Sequence, residues 1–81
     1  MESLKVELKA NTLTEAYRLL MFVRHKSFRD VASEAGVHLS VAWRFSKRPN
    51  AMSMQRGMKI VEWMAIAPEL FISLWNNEFG S

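Results

Sequence analysis

The chain has 81 residues, 49% hydrophobic and 23% charged, with 11 Lys and Arg against 8 Asp and Glu, a formal net charge of +3, and no cysteine. That length fits one small domain, and the apolar fraction is too high for a disordered tail. The lack of Cys excludes a disulfide framework, a thiolate zinc site and a cysteine nucleophile.

No uninterrupted apolar run is longer than that from Leu19 to Val23, far short of the ~20 residues that span a bilayer. The opening Met1-Glu2-Ser3-Leu4-Lys5 lacks the basic-then-apolar order of a signal peptide. The expected location is therefore the cytoplasm, with no membrane partner. The distribution of charge says more than its total. From Arg24 to Lys59 eight basic residues stand against two acidic ones, a balance of +6, while the rest of the chain carries three basic and six acidic residues, a balance of −3. A basic middle between acidic ends predicts one positively charged face, against ordinary scatter over a solvated surface.

In chain order, residues 1–11 read as an N-terminal arm. Within it Leu4-Lys5-Val6-Glu7-Leu8-Lys9 alternates apolar and charged residues with the period of a half-buried strand. Three readings stand: an arm, a strand paired with a second chain, or a frayed helix start. Residues 12–79 read as one all-α domain. Thr12-Leu13-Thr14-Glu15 has the form of a capping box. Leu13, Ala16, Tyr17, Leu20 and Val23 then recur at helix spacing, which predicts a first helix to about His25 or Lys26. Ser27 and Asp30 open a second helix, with Val31, Ala32 and Ala35 on one face and Gly36 as a left-handed cap. A third short helix is expected from Leu39 to Lys47. Pro49 and Asn50 then force a loop. Ser53 is a candidate cap for a fourth helix with Gly57, Val61, Met64 and Ala65 on one stripe. Pro68 suits the first position of a fifth helix, whose apolar face is Phe71, Leu74 and Trp75. The six Met residues read mostly as core filler.

The segment from Phe28 to Lys47, FRDVASEAGVHLSVAWRFSK, carries a constellation with fixed offsets. Its fifth residue, Ala32, is small, as two closely crossing helices require. Its ninth, Gly36, tolerates the positive φ of a tight turn. Val31, Ala35, Val37, Ala42 and Phe45 form a buried seam at the fourth, eighth, tenth, fifteenth and eighteenth positions. That is the helix-turn-helix pattern, and it frees the residues between the seam positions to face DNA.

On these residues the chain resembles known families. Asp30-Val31-Ala32-Ser33-Glu34-Ala35-Gly36-Val37, with Arg44 further on, looks like the DNA-binding headpiece of lactose-repressor relatives. A helix before the motif and two after it give the order of the phage lambda repressor-like family, the Cro/CI or Xre type, over about Leu13 to Trp75. The resemblance implies a compact five-helix domain, usually a dimer, that inserts its third helix into the major groove of a palindromic operator. It implies a sequence-specific transcriptional repressor with phage or mobile-element control as its setting. Two positions depart from the family. The third helix starts Val37-His38-Leu39-Ser40 where Ser, Thr or Gln are common, and the sixteenth position is Trp43 rather than a small polar residue.

The candidate DNA contacts follow. Arg44 can donate bidentately to guanine O6 and N7. Ser40 and His38 can donate near the start of the third helix, or His38 can serve as its cap. Leu39 faces a thymine methyl or is an exposed apolar residue without consequence. For Trp43 two destinations stand, a thymine methyl or sugar face, or the core against the fourth helix, with the balance on the core. Arg29, in the first turn of the second helix, lies where such motifs cross the phosphate backbone. Lys26, Lys47 and Arg48, together with Arg24 and Arg56, are further phosphate candidates. Asn50 bonds a phosphate or serves its own turn.

Homodimerisation is expected through the C-terminal helix or the N-terminal arm, since Ile72 and Phe79 lie partly off the Phe71/Trp75 face. No nucleophile–base pair, Gly-rich phosphate loop or metal-spaced carboxylate pair is visible, so no enzyme activity, cofactor, metal or small-molecule effector is expected. Two other readings stay open: a protein-interaction module such as an antitoxin or anti-repressor, and an architectural or recombination-directionality factor.

Overall fold

The computed structural model describes residues 10–80. The segment 4–9, expected to alternate as a strand, lies outside them. The order is α1 (Leu13–Arg24), α2 (Phe28–Ala35), α3 (Leu39–Phe45), a 3₁₀ turn (Pro49–Ala51), α4 (Met54–Met64) and α5 (Pro68–Phe79). Among the described residues the domain is all-α, five helices with no strand.

Local signals set most helix starts. Thr12 Oγ1 accepts the Glu15 amide at 3.3 Å, but the Glu15 carboxylate accepts the Asn11 amide rather than that of Thr12, so the expected reciprocal box is shifted by one residue. At α2 the box is complete: Ser27 Oγ accepts the Asp30 amide and Asp30 accepts the Ser27 amide. Ser53 Oγ caps α4 through the Arg56 amide, and Pro68 occupies the first turn of α5.

Three helices end on left-handed residues. Gly36 does so at φ 73°, but His25 and Ala65 do so at φ 57° without being glycine. His25 therefore ends α1 at Arg24, a residue or two earlier than the periodicity implies. The third helix also stops earlier, at Phe45, with Ser46 as its cap, and the expected loop at Pro49 and Asn50 is a 3₁₀ turn.

Every helix contributes to one core: Leu13, Ala16 and Tyr17 from α1, Val31 and Ala32 from α2, Ala42 and Phe45 from α3, Ile60 and Met64 from α4, and Leu74 from α5. Each large apolar side chain buried this way contributes ~1.5–3 kcal/mol. Tyr17 sits at its centre, edge-on to Phe45 at 4.9 Å and to Trp63 at 6.2 Å, with Phe28 at 6.5 Å. α2 packs on α3, both pack on α4, and α1 packs on α5. The seam of the helix pair is buried at Val31, Ala32, Ala42 and Phe45, while Ala35 and Val37 are half-buried.

Four apolar residues expected inside lie at the surface, Val23, Ala65, Met54 and Met58. In α4 Met64 is buried as expected, Val61 packs part-buried against the core and Gly57 is half-buried; Ile60 joins that face as a fully buried residue, and Ala65 is an exposed cap. Met54 and Met58 are exposed rather than core filler. Phe79 stays with the α5 face, its ring 4.6 Å from that of Trp75.

Long-range polar contacts close the structure. Glu78 accepts both the Thr14 amide and the Thr14 hydroxyl at 3.0 Å, which puts a carboxylate on the positive end of α1. Arg24 donates to the Trp63 and Met64 carbonyls at 2.8 Å, completing the C-terminus of α4, and lies 4.8 Å over the Trp63 ring.

Candidate nucleic-acid interface

The physical problem for α3 is to present one face while being held rigidly by the other. α1 holds it at two points. The buried Tyr17 hydroxyl donates to the Ala42 carbonyl at 2.8 Å, and Arg18 donates to the Ser46 carbonyl at 2.6 Å. Both are carbonyls at the end of a helix only seven residues long, where intrahelical donors run out. Burial pushes the Tyr17 hydroxyl above the usual tyrosine range, so it remains a donor. With Ala42 and Phe45 buried beneath, α3 turns His38, Leu39, Ser40, Trp43, Arg44 and Lys47 to solvent. Trp43 is half exposed, not folded against α4. Its ring carries the Lys47 ammonium at 5.9 Å.

At the start of α3, His38 Nδ1 accepts the Ser40 amide at 3.1 Å and lies 2.9 Å from Ser40 Oγ. In the neutral ring the proton then sits on Nε2, which remains a donor. His38 is thus the cap, and Ser40 shares that bond.

An open cleft of about 640 Å³ runs between this end of α3 and the start of α4, with His38, Ser40, Gln55, Arg56 and Lys59 on its walls. No acidic residue lines it among the described residues. Gln55 and Lys59 were not singled out from sequence. Their signal is the spacing Gln55-Arg56 to Lys59, which puts them on one face of α4.

The structure sorts the cations. Arg18 and Arg24 are engaged with backbone carbonyls. Lys26 is 2.6 Å from Glu34, in a pair that Trp63 joins by donating its indole N–H to Glu34 at 2.7 Å. Lys26 and Arg24 thus have partners within the fold, Glu34 for the first and the Trp63 and Met64 carbonyls for the second. Arg29, Arg44, Lys47, Arg48, Arg56 and Lys59 are exposed and make no ion pair to any described residue. They come from the start of α2, from α3 and the turn after it, and from the first half of α4. Asn50 is exposed on the 3₁₀ turn, but it borders a different surface, an apolar groove of about 580 Å³ between α4 and α5. Met54, Met58, Val61, Phe71, Ile72 and Trp75 line that groove. It was not legible from sequence, although Met54, Met58 and Val61 have the spacing of a helix row.

Among the described residues no cluster of His, Asp or Glu could hold a metal ion, and no helix is long and apolar enough to cross a membrane. No protein-family model, curated protein or solved structure matches the chain.

Proposed function

We propose that this chain is a sequence-specific reader of double-stranded DNA, built on the lambda repressor-like plan, that acts as a small repressor by occupying an operator and blocking polymerase. The observation that carries the reading is the sorting of cations. Among the described residues, Arg18, Arg24 and Lys26 are engaged by carbonyls or Glu34, while the cations of α2, α3 and α4 are left to solvent around a helix held from behind. On this reading Arg44 and Ser40 contact base edges, and Arg29, Lys47, Arg48, Arg56 and Lys59 contact phosphates.

A homodimer suits the reading. A palindromic operator needs the two α3 helices about one DNA turn (~34 Å) apart, a spacing of the same order as the 33 × 30 Å breadth of the described residues. The apolar α4–α5 groove, with Ile72 exposed beside it, is the face for the second copy. The phage or mobile-element setting rests on the family resemblance.

The test is binding of labelled duplex DNA across a salt series. The expected result is a linear fall of log affinity with log salt, each neutralised phosphate contributing about −0.9 to the slope. Absence of binding to any duplex at low salt would remove the reading.

A second reading, a protein-interaction module on the same scaffold, is favoured by the apolar groove with Met54 82% exposed. Its signature is partner binding with little salt dependence and no loss on Arg44→Ala.

A further inference from the structure

The exposed face of α3 carries two parallel rows. Leu39 and Trp43 stand four residues apart on α3 and so lie one above the other, with Lys47, just past the helix end, over the Trp43 ring, and Ser40 and Arg44 form the row beside them. The second row consists of hydrogen-bonding groups. The first begins with two large apolar side chains, Leu39 at 41% and Trp43 at 50% exposure, while Ala42 and Phe45 of the same helix are buried. The fold makes no use of their outer surfaces. Cations border the row: Arg44 lies beside it, and Lys47 sits over the Trp43 ring. The acidic residues of α2 are hydrogen-bonded at the surface, Asp30 to the Ser27 amide and Glu34 to Lys26 and Trp63.

An apolar strip set among cations matches a polyanion with apolar groups at defined places on its surface. In the major groove the apolar group that distinguishes a base pair is the C5 methyl of thymine. The rise from Leu39 to Trp43 is about 6 Å, while successive base pairs are about 3.4 Å apart. The row is therefore long enough to meet two neighbouring base pairs.

We propose that the Leu39–Trp43 row packs on thymine methyl groups, so that the preferred ligand is duplex DNA with thymines next to the base pair engaged by Arg44. This rests on the DNA-binding reading and specifies the ligand of the same surface.

The test uses a duplex selected by the full chain from a random-sequence pool, then resynthesised with uracil in place of thymine. The two ligands differ by the methyl groups alone. The wild-type chain is expected to bind the uracil duplex more weakly, by about fourfold for each methyl that becomes buried. Leu39→Ala and Trp43→Ala, made separately and checked for unchanged helical circular dichroism, are each expected to weaken binding to the thymine duplex and to bring the thymine-to-uracil ratio towards one. Equal wild-type affinity for both duplexes overturns the inference and leaves DNA binding intact. A ratio that neither substitution narrows also overturns it, because the methyls are then read elsewhere. Retention of no duplex at about 50 mM salt removes the DNA-binding reading itself, and this inference with it.

Discussion

The Tyr17 hydroxyl on α1 donates to the Ala42 carbonyl on α3 at 2.8 Å, and both residues are fully buried. The Ser46 amide, which would serve that carbonyl in a longer helix, bonds to Trp43 instead. The phenol thus completes the end of α3 from outside and sets its distance from the core. Tyr17→Phe keeps the ring contacts and orphans the carbonyl, at an expected cost of ~1–3 kcal/mol. A change of 1 kcal/mol lowers the melting temperature of a domain this small by roughly 4–8 °C. The bond also limits alkaline stability. The buried hydroxyl titrates above its ordinary value, so the unfolded chain loses this proton first. The contribution is present below about pH 10 and is lost as pH rises from there toward the folded value. Urea unfolding at neutral and alkaline pH should therefore show the gap between wild type and Tyr17→Phe narrowing with pH. A constant gap would remove Tyr17 as the source.

Glu34 sets the corresponding limit in acid. The hydrogen bond from Lys26, then that from Trp63, holds its carboxyl below the usual carboxylate range. The folded chain therefore releases this proton at lower pH than the unfolded one. Its contribution is present above the ordinary carboxylate value and is lost as pH falls through the folded value. Glu34→Gln should unfold at lower urea than wild type at pH 7 and approach it at pH 3. Both groups are exposed, so the effect is small and weakens with added salt. Parallel acid profiles for the two proteins would rule the pair out.

Ala65 ends α4 in the left-handed region, where an L side chain is strained. Ala65→Gly relieves that strain at an exposed position, with an expected gain of about 1 kcal/mol. Gly36→Ala is the mirror case. The added methyl meets nothing within 4 Å, so its cost of about 1–2 kcal/mol is that of the backbone alone. Thermal unfolding of the two variants should move in opposite directions; a shift in the same direction would contradict this account of the caps.

These caps also show what was legible in the sequence. Ser27 with Asp30, Ser53, Pro68 and Gly36 act through neighbours a few residues away, so residue type and spacing disclosed them. His25 and Ala65 take left-handed caps because the chain must turn there to pack the next helix, and nothing local marks them. That Ile60 lies deepest on the α4 face it shares with Val61 and Met64 is set by α2 and α3 packing on it. The site divides the same way. Periodicity placed the α3 face and the seam behind it. It could not tell an engaged cation from a free one, because Lys26 meets Glu34 and Arg24 meets Trp63 only once three helices are assembled. Trp43 was misplaced for a related reason. An indole is usually buried, and its exposure follows from Ala42 and Phe45 having filled the space beneath α3.

The central claim is that the α3 face reads DNA sequence through Arg44. The direct measurement is the ratio of affinities for a selected duplex and a scrambled duplex of the same length, for wild type and Arg44→Ala at one salt concentration. A lost bidentate contact of ~1–3 kcal/mol predicts that this ratio falls roughly 5- to 150-fold in the variant, with scrambled-duplex affinity changed far less. A ratio that is the same in both proteins, or a wild type that does not distinguish the two duplexes, would contradict the account.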